Sequence, residues 1–196
     1  MSLPLQPTGQ PWPPGLRRAV LVLLLVLAVL LVGWLAPSRP RPPQLILGGP
    51  DRELAYAREA RRLIDGAHSR LWMTMYVVRP DDGPIGAMLE ALVAAVARGV
   101  DVRVVLDRGA AWDGQPDLKH EPPAAWLTTR GVRVILDEVA VTTHAKVLVA
   151  DGHLVLAGSH NWTRNAVTAN RELSWLVDDP AVAVEIEGWM AAIPGW

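Results

Sequence analysis

Residues 19–36 form an unbroken apolar stretch without a single charge, preceded by Arg17 and Arg18. As a helix this stretch spans about 27 Å, close to the ~30 Å of a bilayer core. Trp12 and Trp34 fall near its two ends, where amphipathic rings favour the membrane interface. The pattern predicts one N-terminal transmembrane helix. A cleaved signal peptide is the alternative, but the run lacks a small-residue cleavage site: Trp34 and Pro37 flank Ala36. Residues 37–43, P-S-R-P-R-P-P, then read as a stiff extended spacer.

Beyond the spacer, the pattern alternates between periods of two and of 3.6. Strands are predicted at residues 45–47, 71–78, 100–106, 132–136, 146–150, 153–157 and 173–177. Helices are predicted from about Asp51 to Gly66, through Ile85, Met88, Leu89, Leu92, Val93 and Val96, and more weakly over 122–129. A C-terminal helix presents Val182, Ile186, Trp189, Met190 and Ile193 on one side. The pair Asp151-Gly152 between two apolar runs is a hairpin signal. Alternating elements imply an α/β domain, a mixed sheet flanked by helices. The expected organisation is a Pro-rich tail over 1–15, the anchor over 16–36, the spacer over 37–43 and one catalytic domain over 44–196.

Charge and composition narrow the function. Four arginines and no acidic residue precede position 44, which leaves the body with 15 basic and 20 acidic residues, a net of −5. A uniformly basic nucleic-acid footprint is thereby excluded, though a local basic cleft is not. With no cysteine, there are neither disulfides nor thiolate metal sites. Basic residues flank both sides of the apolar run, so the positive-inside rule gives no firm orientation. A short tail before an anchor places the body outside the cytoplasm as the default, with a secreted or periplasmic protein as the alternative. Among 19 basic residues only Lys119 and Lys146 are lysines, and the three asparagines, Asn161, Asn165 and Asn170, fall within ten residues.

The chemistry-bearing stretch is His144-Ala145-Lys146, then Asp151, then Gly158-Ser159-His160-Asn161. On the predicted hairpin His144 and Lys146 point to one face, and the return strand brings Gly158, Ser159 and Asn161 to the same end. Imidazole, ammonium, hydroxyl and carboxamide suit a phosphate: donors for its oxygens and a nucleophile that can leave again. Gly158 permits close backbone approach, and Asn161 is expected to open a helix whose amides favour an anion. Turn chemistry accounts for Asp151. Asp113, Asp117 and His120 could imitate a metal site but read as a solvated loop, so no metal and no cofactor is expected. Asn161-Trp162-Thr163 fits a glycosylation pattern, rejected because modification would block the phosphate contact.

The spacing H-x-K-x4-D-x6-G-S-x-N resembles the HKD motif of the phospholipase D superfamily. Residues 71–78 resemble its first strand pair, residues 97–103 its helix-to-strand turn, and Asn170-Arg171-Glu172 its Asn-x-Glu element. The resemblance implies that His144 is the nucleophile, forming a phosphohistidine, with Lys146, Asn161 and Ser159 around the phosphate. It also implies that Glu172 accepts a hydrogen bond from the His144 ring, and that Asp151 and Gly158 are structural. His160 occupies a position usually small or apolar and is read as filler, its role left open. Family members pair two motifs; this chain has one, which implies a homodimer completing the site, without a metal. Single-motif relatives include bacterial endonucleases and anchored proteins of the mitochondrial cardiolipin hydrolase or zucchini type, whose cysteine-bearing zinc element is missing here. A phospholipid is the favoured substrate, DNA or RNA the alternative, and an inactive interaction module a third possibility.

Overall fold

The structure is a computed structural model that describes residues 13–35, 41–108 and 118–196. It divides into two compact units, residues 1–39 and 40–196. In the first, the uncharged run forms helix α1 (Pro14–Leu35), with Pro14 in the first turn, where a missing amide hydrogen costs nothing. The side chains of Leu21 through Leu27 are exposed. Among the described residues, no helix is long and apolar enough to cross a membrane.

The second unit is built on a seven-stranded sheet in the order β1-β7-β6-β5-β2-β3-β4. Its strands are β1 (Arg41–Leu47), β2 (Arg70–Met75), β3 (Asp101–Leu106), β4 (Arg133–Leu136), β5 (Lys146–Ala150), β6 (Leu154–Gly158) and β7 (Leu173–Asp178). β2, β3 and β4 run parallel, and the other neighbouring pairs are antiparallel. The sheet is therefore mixed, as the alternating pattern implies. Residues 41–43, read from the sequence as spacer, lie in β1. Two prolines are tolerated there because β1 is an edge strand, and its register with β7 is irregular between Arg41 and Gln44.

Helices α2 (Ala55–Gly66) and α3 (Pro84–Ala97) bury Leu63, Ile64, Met88 and Leu92 against Leu71, Met73, Val104 and Leu148 of the sheet. Asp81 starts α3 by accepting the amides of Gly83, Ile85 and Gly86 with one oxygen. Gly99, at φ +89°, follows the end of α3, a backbone conformation only glycine adopts without strain. Helix α4 (Glu121–Thr128) precedes β4, and the five-residue α5 (Arg164–Thr168) lies between β6 and β7.

Helix α6 (Pro180–Ala191) packs Ala183 and Met190 on Val149 and Val155, forming a second, smaller core. The side it buries differs from the one expected. Glu187 turns inward with Ala183 and Met190, while Val182 and Trp189 stay exposed. A bidentate ion pair explains the rotation: Glu187 accepts from Arg70 Nε at 2.7 Å and Nη2 at 2.9 Å. Apolar spacing alone could not reveal that partner, which lies 117 residues away.

Candidate active site

One edge of the sheet collects the polar groups. Tyr76 follows β2, Asp107 follows β3, His144 and Lys146 stand at the entry to β5, Ser159 and Asn161 follow β6, and Glu172 precedes β7. Registers Met75↔Lys146 and Gly158↔Ser174 align these strand ends. The edge includes the carboxyl ends of the parallel strands, where α/β sheets commonly bind ligands. His144, Lys146, Gly158, Ser159, Asn161 and Glu172 together line one open pocket of about 400 Å³.

Within it, His144 is exposed and Lys146 is only 6% exposed. The Lys146 ammonium donates to the His144 carbonyl at 2.5 Å and lies 3.1 Å from its Nδ1 and 3.3 Å from its Nε2. Burial pushes the Lys146 pKa down, while Glu172 and Asp107 oppose that shift. Gly158 is required by proximity, since a Cβ there would come within 2.2 Å of Ser174 Oγ and 2.3 Å of the Leu173 carbonyl. β6 and β7 can then close up at the pocket.

The residues after Gly158 alternate between pocket and core. Ser159 and Asn161 line the pocket, while His160 and Trp162 are buried. His160 stacks on Tyr56, with centroids 4.4 Å apart and planes at 10°, and its Nδ1 bonds Ser174 Oγ at 2.8 Å. Burial lowers its pKa to about 4 and raises that of Tyr56 to about 12, so both rings are neutral near pH 7. Trp162 Nε1 donates to the Tyr56 hydroxyl at 3.2 Å. His160 therefore belongs to the core beneath the pocket, the filler position read from the sequence.

Three sequence expectations change here. Glu172 accepts from Ser159 Oγ and, at 3.1 Å, from Asn170 Nδ2, rather than from the His144 ring. It is the first side chain before β7, so the serine immediately after β6 is its donor across the paired strand ends. Asn161 does not open a helix. Thr163 caps α5 instead, by accepting the Ala166 amide, and five residues make too short a helix for an anion site. His120 is not in a solvated loop: it is buried, its Nδ1–H donating to the Asp107 carbonyl at 2.6 Å and its Nε2 accepting the Val78 amide at 3.0 Å. Asp113 and Asp117 lie outside the described residues. Among the described residues, no group of three His, Asp or Glu is placed to hold a metal ion.

Asp151 sits at the far end of β5, roughly 17 Å from Lys146 at strand rise. With φ +53° it begins the hairpin turn, and Gly152 follows at +70°. Its carboxylate accepts from the amides of His68, Ser69 and Arg70 and from Ser69 Oγ. Those donors hold its pKa down to about 2 against the opposing effect of burial.

Sequence reasoning missed Tyr76 and Asp107. The Tyr76 ring packs on the His144 ring at 4.2 Å, tilted by 51°. Asp107 is buried, accepts the Thr143 amide at 2.9 Å and pairs with Lys119 at 3.5 Å. The rarity of lysine was the usable signal: both lysine ammoniums lie over Tyr76, at 4.6 Å for Lys146 and 5.1 Å for Lys119. Neighbouring cavities continue from the pocket on two sides. One shares Asn161 and is lined by Arg79 and Arg164; the other shares Ser159 and Glu172 and is lined by Arg52 and Arg171.

The chain is 29% identical over 136 residues to a protein named mitochondrial cardiolipin hydrolase from Chlamydomonas reinhardtii, covering 69% of this chain and 53% of that one. It is 32% identical over 129 residues to a phospholipase D from Rickettsia conorii, covering 65% and 58%. The chain thus spans little more than half the length of these curated relatives. Its fold matches Nuc of Salmonella typhimurium, a phospholipase D family member, with TM-score 0.61 and 27% identity over 76% of this chain and 93% of that one. Residues 60–193 match the family described as cardiolipin synthase, PLD-like domain. With sequence and fold in agreement over the same body, the chain belongs to the phospholipase D-like (PLD-like) family.

Proposed function

We propose that this protein is a phosphoric diester hydrolase, working through a covalent phosphohistidine at the pocket that holds His144. The observation that carries the reading is the convergence of His144, Lys146, Ser159 and Asn161 on one open pocket. An imidazole nitrogen of His144 attacks phosphorus, and the P–O bond to the leaving alcohol breaks. A general acid protonates the departing oxygen, and water then cleaves the P–N bond, returning the imidazole and releasing a phosphomonoester. Lys146 and Asn161 neutralise and orient the phosphoryl oxygens, Ser159 stands beside them, and Glu172 reaches the site through Ser159. Lys146 supplies the positive charge that a metal ion supplies elsewhere, so the reaction is proposed to be metal-independent.

The general acid is proposed to be His144 of a second copy across a two-fold axis. An apolar sheet face beside the pocket supports this. Leu45 pairs with Trp175 in register, both are over 40% exposed, and exposed Leu173 lines the adjoining cavity next to Ser159 and Glu172. Apolar side chains left open at a reaction site suit burial by a partner surface.

A phospholipid is the favoured substrate. Its support is the uncharged run of residues 19–36, proposed from the sequence alone to anchor the chain with its body outside the cytoplasm, and the names of the two curated relatives. The arginines on both sides of the pocket favour a second reading, a nucleic-acid strand laid through it, although Arg164 is already paired with Asp81 at 3.1 Å. Full-length protein assayed on anionic phospholipid vesicles, single-stranded DNA and RNA separates the two. Vesicle cleavage little affected by salt is expected. Nucleic-acid cleavage that falls steeply with salt would establish the second reading instead. Activity abolished by a chelator would overturn the metal-free step.

A further inference from the structure

We propose that Tyr76 is a positioning residue of this site: its ring fixes the plane of the His144 imidazole and gathers both lysine ammoniums over itself, Lys146 of the two lining the phosphate pocket. The inference rests on the phosphodiesterase reading above. It begins from the chain's only two tyrosines, in a sequence without phenylalanine. Each packs on a histidine, and Tyr76 is the one that meets the exposed histidine of the pocket.

Tyr76 is the first residue beyond β2, whose last residue, Met75, pairs with Lys146. The strand ladder therefore carries the ring to the mouth of β5. There the imidazole of His144 lies 4.2 Å away, and the ammoniums of Lys146 and Lys119 lie 4.6 and 5.1 Å from the ring centroid. The negative face of an aromatic ring attracts cations, so one side chain orders both lysines of the chain. Asp107 completes the frame: it pairs with Lys119 at 3.5 Å and accepts the amide of Thr143, the residue before His144. The backbone entering His144 is fixed by Asp107 and its ring by Tyr76.

The need for such a support is visible in the hydrogen bonds. The Glu172 carboxylate is engaged by Ser159 and Asn170, and the polar neighbour of the His144 ring is Lys146, a donor. An exposed imidazole held on one side by a flexible ammonium needs a rigid surface on the other to keep its nitrogen in line with phosphorus, since small misplacements of a reacting atom are costly in rate. The face of Tyr76 provides that surface, and its hydroxyl is not required for it.

The test compares full-length Tyr76→Leu, Tyr76→Phe and wild type on bis(p-nitrophenyl) phosphate, with the imidazole resonances of His144 followed by NMR. Tyr76→Leu is expected to lower kcat by ~10- to 100-fold, with a smaller change in KM, and to shift the His144 ring signals. Tyr76→Phe is expected to restore kcat to within about threefold of wild type and to return those signals. Wild-type kcat in Tyr76→Leu overturns the proposal, as does a Tyr76→Phe variant no better than Tyr76→Leu. If Tyr76→Leu fails to fold, Tyr76→Phe against Tyr76→His carries the comparison: the smaller ring with weaker cation affinity is expected to turn over more slowly than Tyr76→Phe, and equal rates overturn the proposal. Should wild type cleave no phosphodiester, the functional reading fails by itself. The NMR signals then still decide positioning, and unshifted His144 resonances in the variant would overturn it.

Discussion

Two tyrosine–histidine pairs, with their histidines at either end of the motif, serve opposite ends. Tyr56 and His160 lie nearly parallel in the core, both neutral, tied to Trp162 and Ser174. Tyr76 and His144 meet at a tilt at the pocket, with two lysines over the same ring. The difference comes from which side of an extended segment each histidine occupies, and from what its neighbours leave open. Burial removes a histidine's charge and makes it a packing group. Exposure beside an ammonium and an amide leaves it able to react. Identity of the side chain decides little until the sheet edge places it.

The largest expected effect comes from the proposed reactive pair, His144 and Lys146. His144→Asn should lower turnover by ~10^3-fold or more, as loss of a nucleophile does, and Lys146→Met by ~10^2-fold, the scale of removing one electrostatic stabiliser. Neither should shift the thermal midpoint appreciably. Steady-state kinetics beside calorimetry check both, and a fall in stability matching the fall in rate would erase the contrast with His160.

Next in size is the other end of the hairpin. Asp151→Asn removes a carboxylate that gathers four donors, and about 1–3 kcal/mol of stability should go with it, measured by urea unfolding. Because the Asp151 pKa is depressed to about 2, its contribution is present above the unfolded carboxylate value and is lost as pH falls through about 2. The turnover of the folded variant should stay near wild type. A large catalytic loss in a stable variant would mean that Asp151 acts at the pocket after all.

The smallest effect is a change of slope. The fold favours neutral His160, and the unfolded chain takes up a proton below its ordinary value of 6.5. Stability present above pH 6.5 should therefore decline as pH falls, with the loss complete below about 4. His160→Phe should flatten that part of the unfolding curve while keeping the stack on Tyr56. An unchanged slope would locate the dependence elsewhere.

Much of this organisation is legible in the amino-acid sequence because it is local. Period-two runs mark the strands, Asp151-Gly152 marks the turn, and the motif spacing puts His144, Lys146, Ser159 and Asn161 at one end of a hairpin. What escapes is whatever topology assembles from a distance. Tyr76 and Asp107 reach the pocket because β2 and β3 end beside β5, an adjacency set by strand order rather than by spacing. The rotation of α6 depends on Arg70, and the burial of His120 on Asp107 and Val78. The orientation of Glu172 was misread for the same reason, since its nearest donor, Ser159, is supplied by the pairing of β6 with β7.

His144 is proposed to bond to phosphorus during turnover. Full-length protein mixed with bis(p-nitrophenyl) phosphate, quenched in alkali within the first turnover and digested for mass spectrometry, tests it directly. A burst of nitrophenolate and an acid-labile phosphoryl adduct on the peptide carrying His144 are expected. Steady hydrolysis with the adduct on a different residue, or an identical burst from His144→Asn, would contradict it.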